Sequence, residues 1–470
     1  MGLTKQTGCR RMSASPIQDT RIKNLNDREV VQGRYVLYWM QQSQRAEMNH
    51  ALEHAIQEAN RREQEVVVGF GLADDYPDAN LRHYAFMLDG LRETAQALSR
   101  RGIAFVLRRG SPPEVALELG RGASLIICDR GYLRHQRAWR SRVAERAACR
   151  VVQVESDTVV PVEAASGKAE IGARTLRPRI HRQLASFLAE LPAFPVRRRT
   201  GDLQLRGLDL NDPGPMLKSM RIDRRTGPVP KWFKAGTAEA KRRFAGFIKD
   251  RLERYDQNHN QPQTDDISHM SPYLHFGQIS PLYLALEIGK ASAPRSAKDA
   301  FLEELIVRRE LACNFTHFTP GYDSYDCIPI WARQSLAEHR RDRRGHLYSP
   351  AQLENADTHD PYWNAAMREM VCTGFMHNYM RMYWGKKILE WSRTPEEGYA
   401  VTLALNNRYF LDGRDPNSYA GVGWVYGIHD RAWPQRPVYG KVRSMMASGL
   451  ERKCDIHGYV RKVEALCGAG

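Results

Sequence analysis

Two hydrophobic periods divide this chain, and the change between them settles most of what it can fold into. Between residues 35 and 155, short apolar runs alternate with stretches of helical pattern: YVLYW (35–39), VVVGFGL (66–72), IAFVLRR (103–109), SLIIC (124–128) and RVVQVE (150–155). Such runs, separated by helices, predict a parallel α/β sheet with both faces covered. From Thr237 onward Ala240, Phe244, Phe247, Ile248, Leu252 and Tyr255 recur mostly at three and four, the period of an amphipathic helix. Little after them reads as β. The expected architecture is an α/β domain over residues 33–160, Rossmann-like but without GxGxxG, followed by an all-helical domain over 236–470. Residues 161–235 accumulate Pro and Arg, as in PAFPVRRRTGD (192–202) and RIDRRTGPVPKWF (221–233), and predict a linker region wrapped on the surface. Residues 1–32 are expected to be a disordered leader.

Local signals refine this division. Ser111, Pro112, Pro113 and Glu114 predict a helix start with a capping box. The segment after the first strand, QQSQRAE (41–47), lacks the glycines that admit a pyrophosphate in dehydrogenases or P-loop enzymes. No apolar run approaches the roughly 18 residues needed to span a membrane. The balance of 70 Lys+Arg against 54 Asp+Glu, net +16, favours a polyanionic partner such as nucleic acid or an anionic membrane surface. Eight cysteines without a CxxC pair or a His at metal spacing predict reduced thiols and no metal site. The N-terminal stretch has no apolar core segment, so it is not a secretory signal.

Three clusters in the second half carry chemistry. Five of the nine tryptophans lie between Trp363 and Trp433. Trp384 and Trp391, seven apart, fall on nearly one helix face at about 10 Å along the axis, a spacing suited to electron hopping as well as to core packing. The polar stretch LNNRYFLDGRDPN (405–417) reads as a loop with turns at Asp412-Gly413 and Asp415-Pro416-Asn417. Arg381, one turn before Trp384, is placed to pair with Asp412. SPYLHFGQIS (271–280) sets hydroxyls and backbone amides ahead of a helix, natural phosphate ligands. Phosphate contacts, amides for a heterocycle and an aromatic path together match the needs of a flavin redox site.

Four segments, SPYLHFGQIS, RMYWGKKILEW (381–391), NNRYFLDGRDPN (406–417) and GIHDRAW (427–433), resemble in order the motifs of the photolyase/cryptochrome family. The likeness is to class II cyclobutane pyrimidine dimer photolyases. It runs from about residue 33 to 459 and includes YWMQQSQRAEMNHAL (38–52) and HYAFMLDGL (83–91). The resemblance implies an α/β antenna domain and a helical domain holding FAD, active as FADH⁻, bent into a U. It implies that Tyr255, Ile267, Ser268, His269, Met270 and Ser271 hold the FAD phosphates. Asn406 would face flavin N5, Arg381 and Asp412 would form an ion pair beside the ring system, and Asn378, Arg414 and Asn417 would complete the cofactor set. Trp384 and Trp363 would lead electrons from the surface to the flavin, with Trp391 as a branch and Tyr348 assisting. Trp39, Trp139, Trp232 and Trp331 are expected to serve packing.

On the substrate side the same resemblance implies that Glu304 hydrogen-bonds the dimer, with Asn260, Arg308, Met382 and Trp424 around it. Read without the motif, Glu304 and Arg308 form an i,i+4 pair on a solvated helix. The chain departs from the pattern at Arg308, where some members carry Trp, at Asn378 and at His259. The implied function is light-driven repair of pyrimidine dimers in UV-damaged DNA by a monomer. An antenna chromophore, deazaflavin, folate or flavin, would sit in the N-terminal domain. The implied location is cytoplasmic in a prokaryote, nuclear or organellar in a eukaryote. The alternatives are a cryptochrome-like photoreceptor, a (6-4) photolyase and a nucleic-acid-binding protein that has lost its flavin.

Overall fold

A computed structural model describes residues 16–201 and 203–468 of the chain. Its six strands are β1 (Ile22–Asn24), β2 (Tyr35–Trp39), β3 (Glu65–Leu72), β4 (Ala104–Arg109), β5 (Ala123–Asp129) and β6 (Arg150–Val154). They form one sheet in the order β1-β6-β5-β2-β3-β4. β2 to β6 pair in parallel, and β1 runs antiparallel to β6. Helices α1 (His50–Arg61), α2 (Leu81–Arg100), α3 (Pro112–Gly120) and α4 (Arg134–Arg146) connect them. β2 and β5 are buried along their whole length, which is why they read as unbroken apolar runs. One face packs Val36, Tyr38 and Val68 against Leu52, Ile56 and Leu91. The other packs Leu37, Trp39 and Ile126 against Val115, Leu119 and Val143.

The strand order reverses at β2, so the crevice beyond the carboxyl ends of β2 and β5 is where an open α/β sheet ordinarily takes an anionic ligand. Here an internal carboxylate fills that role. Asp129, at the end of β5, accepts the backbone N–H groups of Gln41, Gln42 and Ser43, the last at 2.7 Å, and the Tyr38 hydroxyl at 3.0 Å. With those amides satisfied, QQS needs no phosphate and no glycines.

Three expectations require correction. Residues 1–15 of the expected leader lie outside the described residues, but residues 16–32 are built into the fold. They contribute β1, and the buried Arg21 donates to the carbonyls of Glu155, Thr158 and Val159. The expected surface linker contains the helix Ala173–Phe187, whose Leu176, Ile180 and Phe187 join the same core as Phe244 and Phe247. Ser111 is the N-cap residue of α3, but its hydroxyl makes no capping bond, and Glu114 pairs with Arg142 and Arg146 instead.

After β6 the described residues contain no further strand. The helices that shape the site are Arg295–Leu302, Arg309–Phe318, Pro361–Thr373, Asn378–Trp391, Pro395–Tyr409 and Pro416–Val425. None among the described residues is long and apolar enough to cross a membrane. The two halves are clasped at several places, one of them the loop that follows β2. Gln42 donates its side-chain amide to the His275 carbonyl at 2.6 Å, and Arg45 bridges Asp157 and the Gly277 carbonyl. Gly277 has φ +64°, and a Cβ there would lie 1.9 Å from the Gln42 carbonyl oxygen, so the approach admits only glycine.

Candidate functional site

The helices enclose an open cavity of about 1250 Å³, counting its mouth. A smaller extension of about 460 Å³ shares Asn378, Arg381, Asn417 and Ser418 with it. The floor is set by where three helices end. Gly374, in the left-handed conformation at φ +75°, closes Pro361–Thr373 and turns the chain into Asn378–Trp391, the usual helix stop. That helix presents Arg381, Met382 and Trp384. Stretch 405–417 is not the single loop its polarity suggests. Asn406 and Asn407 lie buried in the last turn of Pro395–Tyr409, and Asp415 caps Pro416–Val425 through the Asn417 N–H. Only residues 410–415 form the loop that carries Asp412.

Arg381 and Asp412 meet here, Nη2 standing 3.0 Å from Oδ1 and 3.1 Å from Oδ2. The guanidinium lies over the Phe410 ring at 3.9 Å and donates through Nε to the Met376 carbonyl. Among the described residues Trp384 Nε1 and His377 Nε2 are buried without a hydrogen-bond partner, and the buried Asp412 Oδ1 meets Arg381 as an ion pair without accepting a hydrogen bond. Such groups are costly to leave unmet, and all three belong to the cavity wall or its extension. Asn406 opens onto the extension beside Met382 and Trp384.

At the opposite end Ile267, His269, Met270 and Ser271 line the cavity together with Tyr255. His269 is held at φ +56° and tied to Asp265 at 2.7 Å. Tyr255 stacks on His259 at 5.1 Å. Ser268 departs from the expected set, because it faces a separate groove with Lys231, Arg242 and Arg251.

Glu304 and Arg308 lie on a π-helical turn, Glu303–Arg308, inserted between Arg295–Leu302 and Arg309–Phe318. Such turns shift side-chain register and recur at functional sites. They do not pair with each other as the i,i+4 spacing suggests. Arg308 bonds Glu303 at 3.1 Å, and Glu303 is also gripped by Arg177. The Glu304 carboxyl makes no hydrogen bond and opens onto the cavity, beside Tyr255, Phe301 and Leu305. Its side chain is exposed to the cavity, yet it sits deep in that wall. Burial pushes its pKa above the ordinary value, against the opposing pull of Arg308 and His259. Asn260 lies at the same rim, bonded to His259 at 2.8 Å. Trp424 lines neither part of the cavity. It is half-buried behind the extension, with Lys386 Nζ 4.9 Å and the Arg443 guanidinium 5.5 Å from its ring.

The indoles form a row, though not the one their spacing suggests. Trp363 inserts from a neighbouring helix, donating Nε1 to the Trp384 carbonyl at 2.9 Å and meeting Trp391 edge-on at 5.5 Å. Trp363 is fully buried, so it is not the surface end of the row; beyond Trp391 come Tyr348 and His359, each 5.3 Å away.

A second cavity, about 680 Å³, lies at the carboxyl ends of β2 and β3 between the two halves. Arg414, expected at the first cavity, lines this one instead, 3.4 Å from His275 Nε2. Trp139, assigned to packing by its sequence, also lines it, in edge contact with Tyr76 and His135. Both side-chain polar atoms of Gln41, Gln44 Oε1, His135 Nε2 and Arg414 Nε are buried and unpartnered around it. The only sequence signal for this site is the His135/Trp139 i,i+4 pair on α4, which is equally a packing pattern.

A family model described as DNA photolyase matches residues 36–196. The chain is similar to the deoxyribodipyrimidine photo-lyase of Methanothermobacter thermautotrophicus, 48% identical over 453 residues, covering 96% of this chain and 99% of that one. It is similar to that of Arabidopsis thaliana at 40% identity over 444 residues, covering 92% and 89%. Among solved structures, a class III photolyase from Agrobacterium tumefaciens has the same fold, with a TM-score of 0.70 at 17% identity over 93% of this chain and 87% of that one.

Proposed function

Because this chain belongs to the DNA photolyase family, we propose that it splits cyclobutane pyrimidine dimers in DNA with light, using FAD held in the larger cavity. The observation that carries this reading is the pairing of a polar floor with an acid on the wall of one cavity. Arg381, Asp412 and Asn406 supply the floor, and Glu304 supplies the acid. Trp384 Nε1, without a hydrogen-bond acceptor among the described residues, and Asp412 Oδ1, which meets Arg381 as an ion pair but accepts no hydrogen bond there, fit a heterocycle carrying both donors and acceptors. Tyr255, Ile267, His269, Met270 and Ser271 fit the phosphate end. A reduced flavin bound there supplies, on excitation by blue or near-UV light, the electron that opens the dimer and then returns.

The chain's own part is geometric and electrostatic. Arg381 fixes a positive charge beside the floor of the cavity, held in place by Asp412 and the Phe410 face. Glu304, kept protonated to higher pH than a free carboxyl, donates a hydrogen bond to the dimer as negative charge develops on it. Asn260 and Arg308 on the cavity and Met382 on its extension border the space for a flipped-out lesion, with Trp424 behind them, and extrusion costs least where stacking is already damaged. Basic side chains around the mouth meet phosphates. The second cavity takes the antenna chromophore, with Trp139, Tyr76 and the free amide of Gln41 as its contacts. Glu304 favours repair over a purely signalling photoreceptor, which has no use for an acid at the lesion position.

Denaturation of the purified protein should release about one equivalent of FAD, and blue light should restore a dimer-bearing oligonucleotide that stays damaged in the dark. A protein that binds no flavin, or one that binds it and leaves the dimer intact under light, refutes the reading.

A further inference from the structure

Past Trp391 the aromatic row ends on a hydrogen-bonded pair rather than on a bare phenol. The Tyr348 backbone N–H donates to the Trp391 carbonyl at 3.3 Å, and the two rings meet edge-on at 5.3 Å. The Tyr348 phenol oxygen lies 2.7 Å from His359 Nδ1. The same oxygen accepts the His359 backbone N–H at 2.9 Å. The phenol keeps its own hydrogen to give, and an imidazole with its proton on Nε2 accepts it at Nδ1. The His359 ring lies flat on His346, with centroids 3.7 Å apart and planes 18° from parallel, and both histidines are exposed.

We propose that Tyr348 and His359 form a proton-coupled terminal electron donor. When Trp391 has lost one electron, Tyr348 passes an electron to the indole cation while its phenolic proton moves to His359 Nδ1. The products are neutral Trp391, a neutral tyrosyl radical and a His359 imidazolium, so charge and protons balance. The oxidising equivalent reaches Trp391 from a photoexcited oxidised flavin through Trp384 and Trp363, and in that respect the inference rests on the function proposed above. Taking the proton away in the same step avoids a charged phenol radical, and it makes return of the electron wait on return of the proton. Because His359 is exposed, the imidazolium can then lose its proton to water.

His359 must be neutral to act. Burial is the largest influence on it and lowers its pKa. His346 stacked above and Lys387 on the helix Asn378–Trp391 act in the same direction, while Asp360 and Glu390 oppose them. The result lies below the usual histidine value, so the acceptor is ready at neutral pH, and the step should fail only as pH falls through that lowered value.

The test has a flavin-free arm and a holoprotein arm. Flash-generated ruthenium(III) tris-bipyridine oxidises the full-length protein without flavin, and the tyrosyl signal lost in Tyr348→Phe is read by electron paramagnetic resonance and transient absorption. In the wild type that component should form as the indole radical decays, slow in D2O and vanish in acid. A positioned proton acceptor is worth roughly 10²–10⁴ in rate, so His359→Ala should slow it by at least about 100-fold, with added imidazole restoring it. His346→Phe should keep it. A His359→Ala protein that forms the Tyr348 radical at the wild-type rate, or a wild type with no Tyr348-dependent radical, overturns the proposal. Illumination of the holoprotein is the second arm. If the dyad works under ruthenium oxidation but no Trp391 or Tyr348 radical follows illumination, the indole path to the flavin fails and the dyad stands.

Discussion

Removing the Glu304 carboxyl should damage repair without damaging the fold. The side chain makes no hydrogen bond among the described residues, since Arg308 is committed to Glu303. Truncation therefore leaves no partner stranded, and Glu304→Ala should shift stability by no more than about 0.5 kcal/mol. A hydrogen bond to a group gaining charge is worth about 1.5–3 kcal/mol, so its loss should lower the ratio of dimer splitting to unproductive electron return by about 10- to 100-fold. The pH dependence has a definite sign. Burial raises the folded-state pKa of Glu304 above its unfolded value, against Arg308 and His259. Its contribution to stability is present below the unfolded pKa and is lost as pH rises through the raised one. The donor is lost over the same interval, so the repair yield should fall as pH rises through it. Glu304→Gln keeps a donor that does not titrate; it should retain most of the yield, flatten the pH profile and be no less stable at pH 8. The assay is the repair quantum yield of pre-reduced enzyme on a defined dimer oligonucleotide, with flavin content and melting temperature alongside. A wild-type yield in Glu304→Ala at full flavin occupancy would refute the reasoning.

Trp363→Phe should abolish or strongly slow flavin photoreduction, because Trp363 joins Trp384 to Trp391, while repair by pre-reduced enzyme stays nearly intact; transient absorption and repair yield read the two separately. Gly277→Ala should destabilise the chain by at least about 2 kcal/mol, from a positive φ that favours glycine and a Cβ driven into the Gln42 carbonyl, read as a lower denaturant midpoint. Affinity for dimer-bearing DNA should fall with salt at about −0.9 in log–log slope per neutralised phosphate, measured by fluorescence anisotropy, and a flat dependence would contradict phosphate contact by the basic surface.

The sheet was legible because its strands are buried on both faces, which leaves no polar residue to break the apolar runs at 35–39 and 124–128. β1 was not, since three residues with an exposed face carry no period. The helix Ala173–Phe187 was hidden by Pro178 in its interior and by four arginines, as many as its buried residues. Asn406 and Asn407 were read as loop because buried asparagines look like surface. In the structure they serve the neighbouring loop, Asn407 Oδ1 accepting the Arg414 N–H. The meeting of Arg381 with Asp412 was readable because each sits near a recognisable helix end. The row of indoles was only half readable, because period along one helix reveals Trp384 and Trp391 but not Trp363, which arrives from another. The second cavity left almost no trace, being assembled from strand ends, α4 and a loop more than a hundred residues away.

The wall between the two cavities is thin and shared. His275 and Arg414 face the second cavity, Asp415 faces the first, and His275 is linked to both, at 3.3 Å to Asp415 and 3.4 Å to Arg414. Because His275 contacts a residue on each side, a rearrangement on one side changes what the other meets. Two ligands that order the same partition are thermodynamically linked, and linkage is reciprocal. Whatever factor filling one cavity contributes to the affinity of the other is returned in full, so if each cavity takes its proposed chromophore, removing either should change the affinity for the other by that same factor.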